Sequence, residues 1–184
     1  MGRRQVTIER RPAAAGRPPV EVQRSTGRRR TASAYARDGA VVVQLPAGMP
    51  AADEEQVVAT LVDRVSGALR AREAGGDAEL ARRADVLADT YLDGVRARSA
   101  RWSARMGRRH GSCTPADGTI RISRRAAAYP QYVLEYILVH ELAHLQVRGH
   151  SAAFWELVAR YPQAERARGF LEGIDHNAVY DPGE

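Results

Sequence analysis

The chain has 184 residues, enough for one domain with a sizeable hydrophobic core and too few for two full ones beside this much polar sequence. Its single cysteine excludes an internal disulfide and fits a reducing compartment, and no run approaches 18 uninterrupted apolar residues, which excludes a membrane-spanning helix. All 28 basic residues are arginine, and the net charge of +6 is unevenly spread: residues 1–30 hold nine arginines against Glu9 and Glu21, residues 95–125 hold nine against Asp117 alone, and residues 52–94 carry ten acids against five arginines.

Residues 1–18 are rich in Arg, Ala, Pro and Gly without periodicity, which predicts a mobile basic tail; Arg3, Arg4, Arg10 and Arg11 read as a solvated leader before a nucleic-acid arm. No secretory apolar region follows these arginines, and position 6 lacks the Ser or Thr that myristoylation at Gly2 wants, so the expected compartment is the cytoplasm. The arginine-for-lysine bias, with abundant alanine, matches a GC-rich bacterial genome. From Val20 the pattern is strand-like: Val20–Gln23, a basic turn at Gly27–Arg30, then Thr31–Ala36. Asp38-Gly39 is a hairpin signal and Val41–Leu45 the returning strand, an expected antiparallel meander.

Two helices follow. The first opens on Asp53, Glu54 and Glu55, keeps Val57, Val58, Leu61, Val62, Val65 and Leu69 at helical spacing, and ends near Gly75-Gly76. The second, from about Asp77, uses Leu80, Ala84, Leu87, Ala88 and Leu92 in the same way. Trp102, Ala104 and Met106 alternate with Ser103, Arg105 and Gly107 as in a half-buried strand, and Pro115–Gly118 is a turn joining Ser112–Thr114 to Thr119–Ile122. Cys113 reads as a half-buried filler and His110 as a surface residue.

The chemistry concentrates in Tyr136–His150. Run as an α-helix, His140 and His144 stand about 40° apart and roughly 6 Å along the axis, so both can reach one ion; Glu141, about 100° round from His140, lies beside it as a base rather than a ligand. In a continuous helix His150 would sit about 240° from His144 and roughly 9 Å further on, so the helix must stop first. Gly149 supplies the stop and Pro130 the first turn, which predicts a helix over about 130–148. Its residues Val133, Leu134, Ile137, Leu138, Val139, Leu142, Ala143, Leu145 and Val147 cover most sides, so it is buried. Burying Glu141 and two imidazoles there costs several kcal/mol unless something pairs them. Three neutral imidazoles favour zinc and leave a fourth position for water. A closed structural site would use more cysteines; Cys113 is the one available fourth ligand. Ser151 can cap a short helix whose Phe154 and Trp155 pack beneath His150, and a last helix runs from Pro162 to Leu171. His176, Tyr161 and Tyr180 are candidate oxyanion donors.

HELAH, five residues and His150, then Ser151-Ala-Ala-Phe154-Trp155, resemble the YgjP-like metallopeptidases, relatives of the SprT-like and WLM zincins. Arg101-Trp102, Gly111-Ser112-Cys113-Thr114 and Gly118–Ser123 resemble the same family's strands before its active-site helix, and the likeness extends over about 18–173. It implies an α+β fold: a compact zincin-like domain, a small antiparallel or mixed sheet packed on helices that include the HExxH helix. It also implies His140, His144 and His150 as zinc ligands, Glu141 as general base, and a substrate strand added to an exposed sheet edge over the metal.

The expected layout is a tail over 1–18, a single metallopeptidase domain over 19–174 and a C-terminal tail over 175–184. The expected function is a zinc-dependent peptidase acting on a peptide or protein substrate. Two alternatives stand beside it: a nucleic-acid-associated, SprT-like protease using the Arg-rich segments, and a non-catalytic, zinc-stabilised interaction module whose open position is blocked, as by Cys113.

Overall fold

The computed structural model describes residues 5–13 and 17–179; the readings placed on Arg3, Arg4 and Tyr180 lie outside the described residues. The chain forms two compact units, Met1–Leu69 and Arg70–Glu184, where the sequence reading has one domain over 19–174.

The first unit is a four-stranded sheet with a helix on one face. Its strands are β1 (Val6–Arg11), β2 (Val20–Ser25), β3 (Ser33–Arg37) and β4 (Ala40–Pro46), in the order β1-β2-β4-β3. β1 arises from the stretch expected as a tail and pairs antiparallel with β2. The expected meander is corrected in one pairing: β3 and β4 form the hairpin, with Asp38 and Gly39 both at positive φ (51° and 76°), but β2 pairs with β4 in parallel. The reason is burial. Val41, Val42, Val43 and Leu45 are at most 1% exposed, so β4 needs a neighbour on both sides, whereas β3, with Ser33 and Arg37, suits an edge. Helix α1 (Ala51–Glu73) closes the core by laying Val58, Leu61 and Val62 on Val20, Val22, Val41, Val43 and Leu45. At the rim of this core Arg24 donates to Glu54 (Nε, 2.9 Å) and Glu9, and Arg11 grips Glu55 with two hydrogen bonds of 2.9 and 2.7 Å. Several arginines of the basic N-terminal segment are thus matched by acids.

The second unit contains α2 (Gly76–Tyr91), a sheet of β5 (Ser99–Ser103), β6 (Gly111–Thr114) and β7 (Thr119–Ser123) in the order β5-β7-β6, a 3-10 helix (Arg124–Ala128), α3 (Gln131–Ala143), α4 (Ala152–Ala159) and α5 (Ala164–Val179). β7 is central: Ile120 and Ile122 are fully buried, β5 runs parallel to it and β6 antiparallel. The strand expected to reach Met106 stops at Ser103, because Ser103 pairs with Ser123, the last residue of β7, and beyond it no partner remains. The chain instead turns, with the Arg109 N–H donating to the Met106 carbonyl (3.0 Å). Trp102 locks β5 to the start of α2 by donating its backbone N–H to Asp77 and its indole N–H to the Gly76 carbonyl.

α3 is the hub of this core. Nine of its thirteen residues are buried, as a helix apolar on most sides requires. It ends at Ala143, earlier than the expected 148. Bonds from Leu145 to Leu142 and from Gln146 to Ala143 tighten the last turn, and the Gln146 side chain is drawn to the Leu92 carbonyl. α5 starts at Ala164 and continues to Val179, so the expected C-terminal tail begins inside a helix. Both units together make a mixed α+β chain with small sheets packed on helices, compatible with a compact zincin-like domain, and no helix among the described residues is long and apolar enough to cross a membrane.

Candidate active site

α3 carries His140 in its last turn and His144 at its C-terminal cap, and the chain then unwinds through residues 145–149 to Gly149 at φ 74°, a conformation that costs glycine nothing. Ser151 accepts from the Phe154 N–H (3.4 Å) and starts α4. This reversal brings His150 back: the ring centroids lie 5.0 Å (His140 to His144), 5.2 Å (His140 to His150) and 4.9 Å (His144 to His150) apart, a nearly equilateral triangle. Among the described residues these three side chains form the group able to hold a metal ion, and Cys113 is not part of it.

The aromatic residues of α4 set the rings. Phe154, fully buried, stacks on His144 at 4.4 Å, and Trp155, 39% exposed, stacks on His150 at 5.5 Å. The sequence reading placed both beneath His150; Phe154 in fact serves His144 more closely. His144 Nδ1 faces the Val147 carbonyl at 3.4 Å, which suits an Nδ1–H donor and leaves the Nε2 lone pair free. His140 and His150 present Nε2 to each other at 3.2 Å. Burial, with the neighbouring His144 and His150, pushes the His140 imidazole down to about 4, and burial also lowers His144. Both are neutral at physiological pH, as metal ligands must be.

Glu141 is 6% exposed, and burial lifts its carboxyl to about 7, with the Arg109 charge pulling the other way. It forms the floor of a 310 Å³ cleft with Tyr136, Ile137 and His140; Arg109, His110 and Gly111 line one wall, and Arg168, Leu171, Glu172 and Asp175 of α5 the other. Gly111 is the tightest point. A Cβ there would lie 2.5 Å from Glu141 Oε1, so only glycine lets β6 pass this close to the carboxylate.

β6 is an edge strand. The Ser123 N–H donates to the His110 carbonyl (2.8 Å), which sets the phase of the antiparallel ladder. Ser112 and Thr114 then bond β7, while Gly111 and Cys113 aim their N–H and C=O groups at the free edge. The Cys113 thiol is pushed up to about 11 by burial, with the Glu141 charge adding to it, so it is a neutral thiol rather than a thiolate ligand.

His110, set aside in the sequence reading, lies in the cleft. Its Nε2–H donates to Asp175 (3.1 Å) and its Nδ1 accepts from the Tyr129 hydroxyl (3.2 Å). Its partner on α5 is 65 residues away, so no local pattern announces it; the glycine inside a strand at 111 was the one available signal. Of the candidate oxyanion donors, the Tyr161 hydroxyl is engaged by the Tyr132 carbonyl (3.2 Å) and Glu135 (2.9 Å), and His176 is an exposed residue of α5 that does not line the cleft.

An α+β unit that gathers three imidazoles at the end of a buried helix, with a buried carboxylate beside the first of them and an edge strand alongside, has the layout of a zincin-like metalloenzyme. The chain belongs to the YgjP-like metallopeptidase domain family, whose model matches residues 77–172, so a metallopeptidase is the activity its family suggests and a metal is implied. No curated protein and no solved structure matches the chain.

Proposed function

We propose that the chain is a zinc-dependent peptidase in which His140, His144 and His150 hold the metal and Glu141 is the general base. The carrying observation is the convergence of the three imidazoles, the first of which, His140, adjoins Glu141 in the chain and lines the cleft with it. The donor set fits zinc: three imidazole nitrogens, with His140 and His150 Nε2 3.2 Å apart, against a separation of about 3.3 Å expected between two nitrogens of a tetrahedral site with Zn–N near 2.0–2.1 Å. A zinc ion there supplies a Lewis acid that acidifies water and polarises the scissile carbonyl.

The residues of the chain do the rest. Glu141 takes the proton of the attacking water at a carboxylate oxygen as the water oxygen bonds to the carbonyl carbon, then delivers that proton to the leaving amine as the C–N bond breaks. The substrate is a peptide or protein segment, whose backbone adds to the free edge at Gly111 and Cys113 and thereby lies beside Glu141.

The test is zinc stoichiometry and peptide hydrolysis measured side by side. Glu141→Gln is expected to bind one zinc and not hydrolyse, and His144→Ala to lose the zinc. Unchanged hydrolysis by Glu141→Gln, or full zinc in His144→Ala, overturns the assignment.

A further inference from the structure

Almost every charged side chain lining the cleft has a partner. Asp175 is bonded to His110 (3.1 Å), and Arg168 is paired with Glu165 (2.7 Å) and Glu172 (3.6 Å). Two groups remain. Glu141 has its part in the proposed reaction. Arg109 has none: its guanidinium makes no hydrogen bond or ion pair among the described residues, and its charge reaches Glu141 only through space.

An unpartnered arginine on a surface is ordinary, but this one is mounted where a substrate strand would lie. It stands two residues before Gly111, at the entrance to the free edge of β6. The turn that carries it is braced from three sides. The Arg109 N–H donates to the Met106 carbonyl (3.0 Å), Arg125 reaches the carbonyls of Gly107 (2.7 Å) and Arg109 (3.4 Å), and the His110 carbonyl accepts from Ser123 (2.8 Å). The guanidinium therefore stands on a fixed base, with less freedom to lose on binding than one on a loose loop. Asp175 and Glu172 of α5 are engaged by His110 and Arg168, and Arg109 is the one arginine lining the cleft whose guanidinium has no hydrogen-bond or ion-pair partner among the described residues.

We propose that Arg109 binds a carboxylate of the substrate, making the cleft selective for acidic peptides; this rests on the peptidase reading above. A carboxylate offers the planar pair of oxygens that a guanidinium fork grips with two hydrogen bonds, which an amide or an amine does not match. The carboxylate comes from an acidic side chain near the scissile bond or from a free C-terminus, and the chemistry of recognition is the same.

The experiment uses the zinc-loaded full chain and fluorescence-quenched peptides with Glu, Gln or Lys placed in turn at each position flanking the cleaved bond, each made with a free and an amidated C-terminus. At one position the Glu peptide is expected to be cleaved with about three- to tenfold higher kcat/KM than its Gln isostere, with Lys lowest and the difference carried by KM. Alternatively, amidation alone produces that loss, which identifies the terminal carboxylate. Arg109→Gln is expected to abolish the preference and Arg109→Lys to keep part of it, each read as the ratio of kcat/KM for the Glu and Gln peptides within the same variant. Equal efficiency for Glu and Gln peptides with no effect of amidation overturns the proposal, as does a preference that survives in Arg109→Gln. If no peptide is cleaved, the peptidase reading fails, and Arg109 is judged by fluorescence anisotropy with the same peptides: about three- to tenfold tighter binding of the carboxylate form, lost in Arg109→Gln, supports it, and equal binding overturns it.

Discussion

Two clusters of charge sheltered from water, one in each unit, solve the same problem in opposite ways. In the first unit Glu54, 8% exposed, faces Arg24 across 2.9 Å, and Arg24 also holds Glu9. In the second, Glu141 is 6% exposed, and Arg109 acts on it without a hydrogen bond. The consequence appears in their acidities: hydrogen bonding from Arg24 holds the Glu54 carboxyl below its usual range, whereas burial lifts Glu141 to about 7. A matched cluster spends its charge on holding parts together. An unmatched one is strained until something else, a metal or a reacting proton, completes it. The three imidazoles say the same, since His140 is forced to about 4 by burial and by two neighbours of its own kind.

The difference is broken most severely at Glu141. Glu141→Gln keeps the shape and removes the base, so hydrolysis is expected to fall by about 10²–10⁴-fold. In the metal-free protein the same substitution is expected to raise the melting temperature, because an unpaired buried carboxylate no longer has to be kept from water. Calorimetry on the chelated proteins checks this; a lower melting temperature would mean that Glu141 is matched after all. Next in size is Gly111→Ala. Its Cβ would fall 2.5 Å from Glu141 Oε1, so the carboxylate or the strand must move, and a misplacement of that order costs about 10²-fold in rate. Zinc content should stay at one, since the atoms that the added Cβ meets all belong to Glu141 and none to an imidazole, and metal analysis beside the rate measurement separates the two.

The contrast also explains what the sequence could and could not reveal. His140, Glu141 and His144 are fixed relative to one another by helix periodicity, and Pro130, Gly149 and Ser151 mark boundaries by their own backbone chemistry, so the triad was legible from about twenty consecutive residues. Where structure depends on distant pairing, local signals fell short. β2 chose β4 over its neighbour β3 because the burial of Val41–Leu45 needed two flanks, and β1 was hidden in a stretch whose composition resembles a tail. His110 took its place from an aspartate on a helix whose end was expected eight residues earlier, at Leu171. Clusters such as Arg24–Glu54 join residues thirty apart, with no spacing rule to expose them.

The matched cluster should respond to acid and to mutation with the signs reversed. Glu54 is ionised more readily in the folded chain than in the unfolded one, so its contribution is complete above the unfolded value of about 4.5 and is lost as pH falls through the depressed folded value. Glu54→Gln is expected to cost about 1–3 kcal/mol at neutral pH by leaving Arg24 half-satisfied, and to flatten the fall in stability below pH 4.5. Denaturant melts at pH 7 and pH 3.5 measure both; an equal deficit at the two pH values would show that Glu54 acts through packing rather than charge.

The smallest effect sharpens the unmatched side. Trp155 stacks on His150 at 5.5 Å while remaining 39% exposed, so its removal opens little cavity, and Trp155→Ala is expected to change stability of the metal-free chain by under about 1 kcal/mol. His150 is the one imidazole of the three beyond both α3 and its C-terminal cap, and the stacked indole limits the orientations its ring can take. Freed of it, the ring loses entropy on each binding event, and zinc affinity is expected to fall about tenfold, the low end for losing an outer contact to a ligand. Phe154→Leu makes a useful counterpart, since Phe154 is fully buried on His144 and its loss should lower stability and affinity together. Competition with a chromogenic chelator, set beside thermal melts, distinguishes the two; equal affinity in Trp155→Ala and the parent would show that the α4 turn alone holds His150 in place.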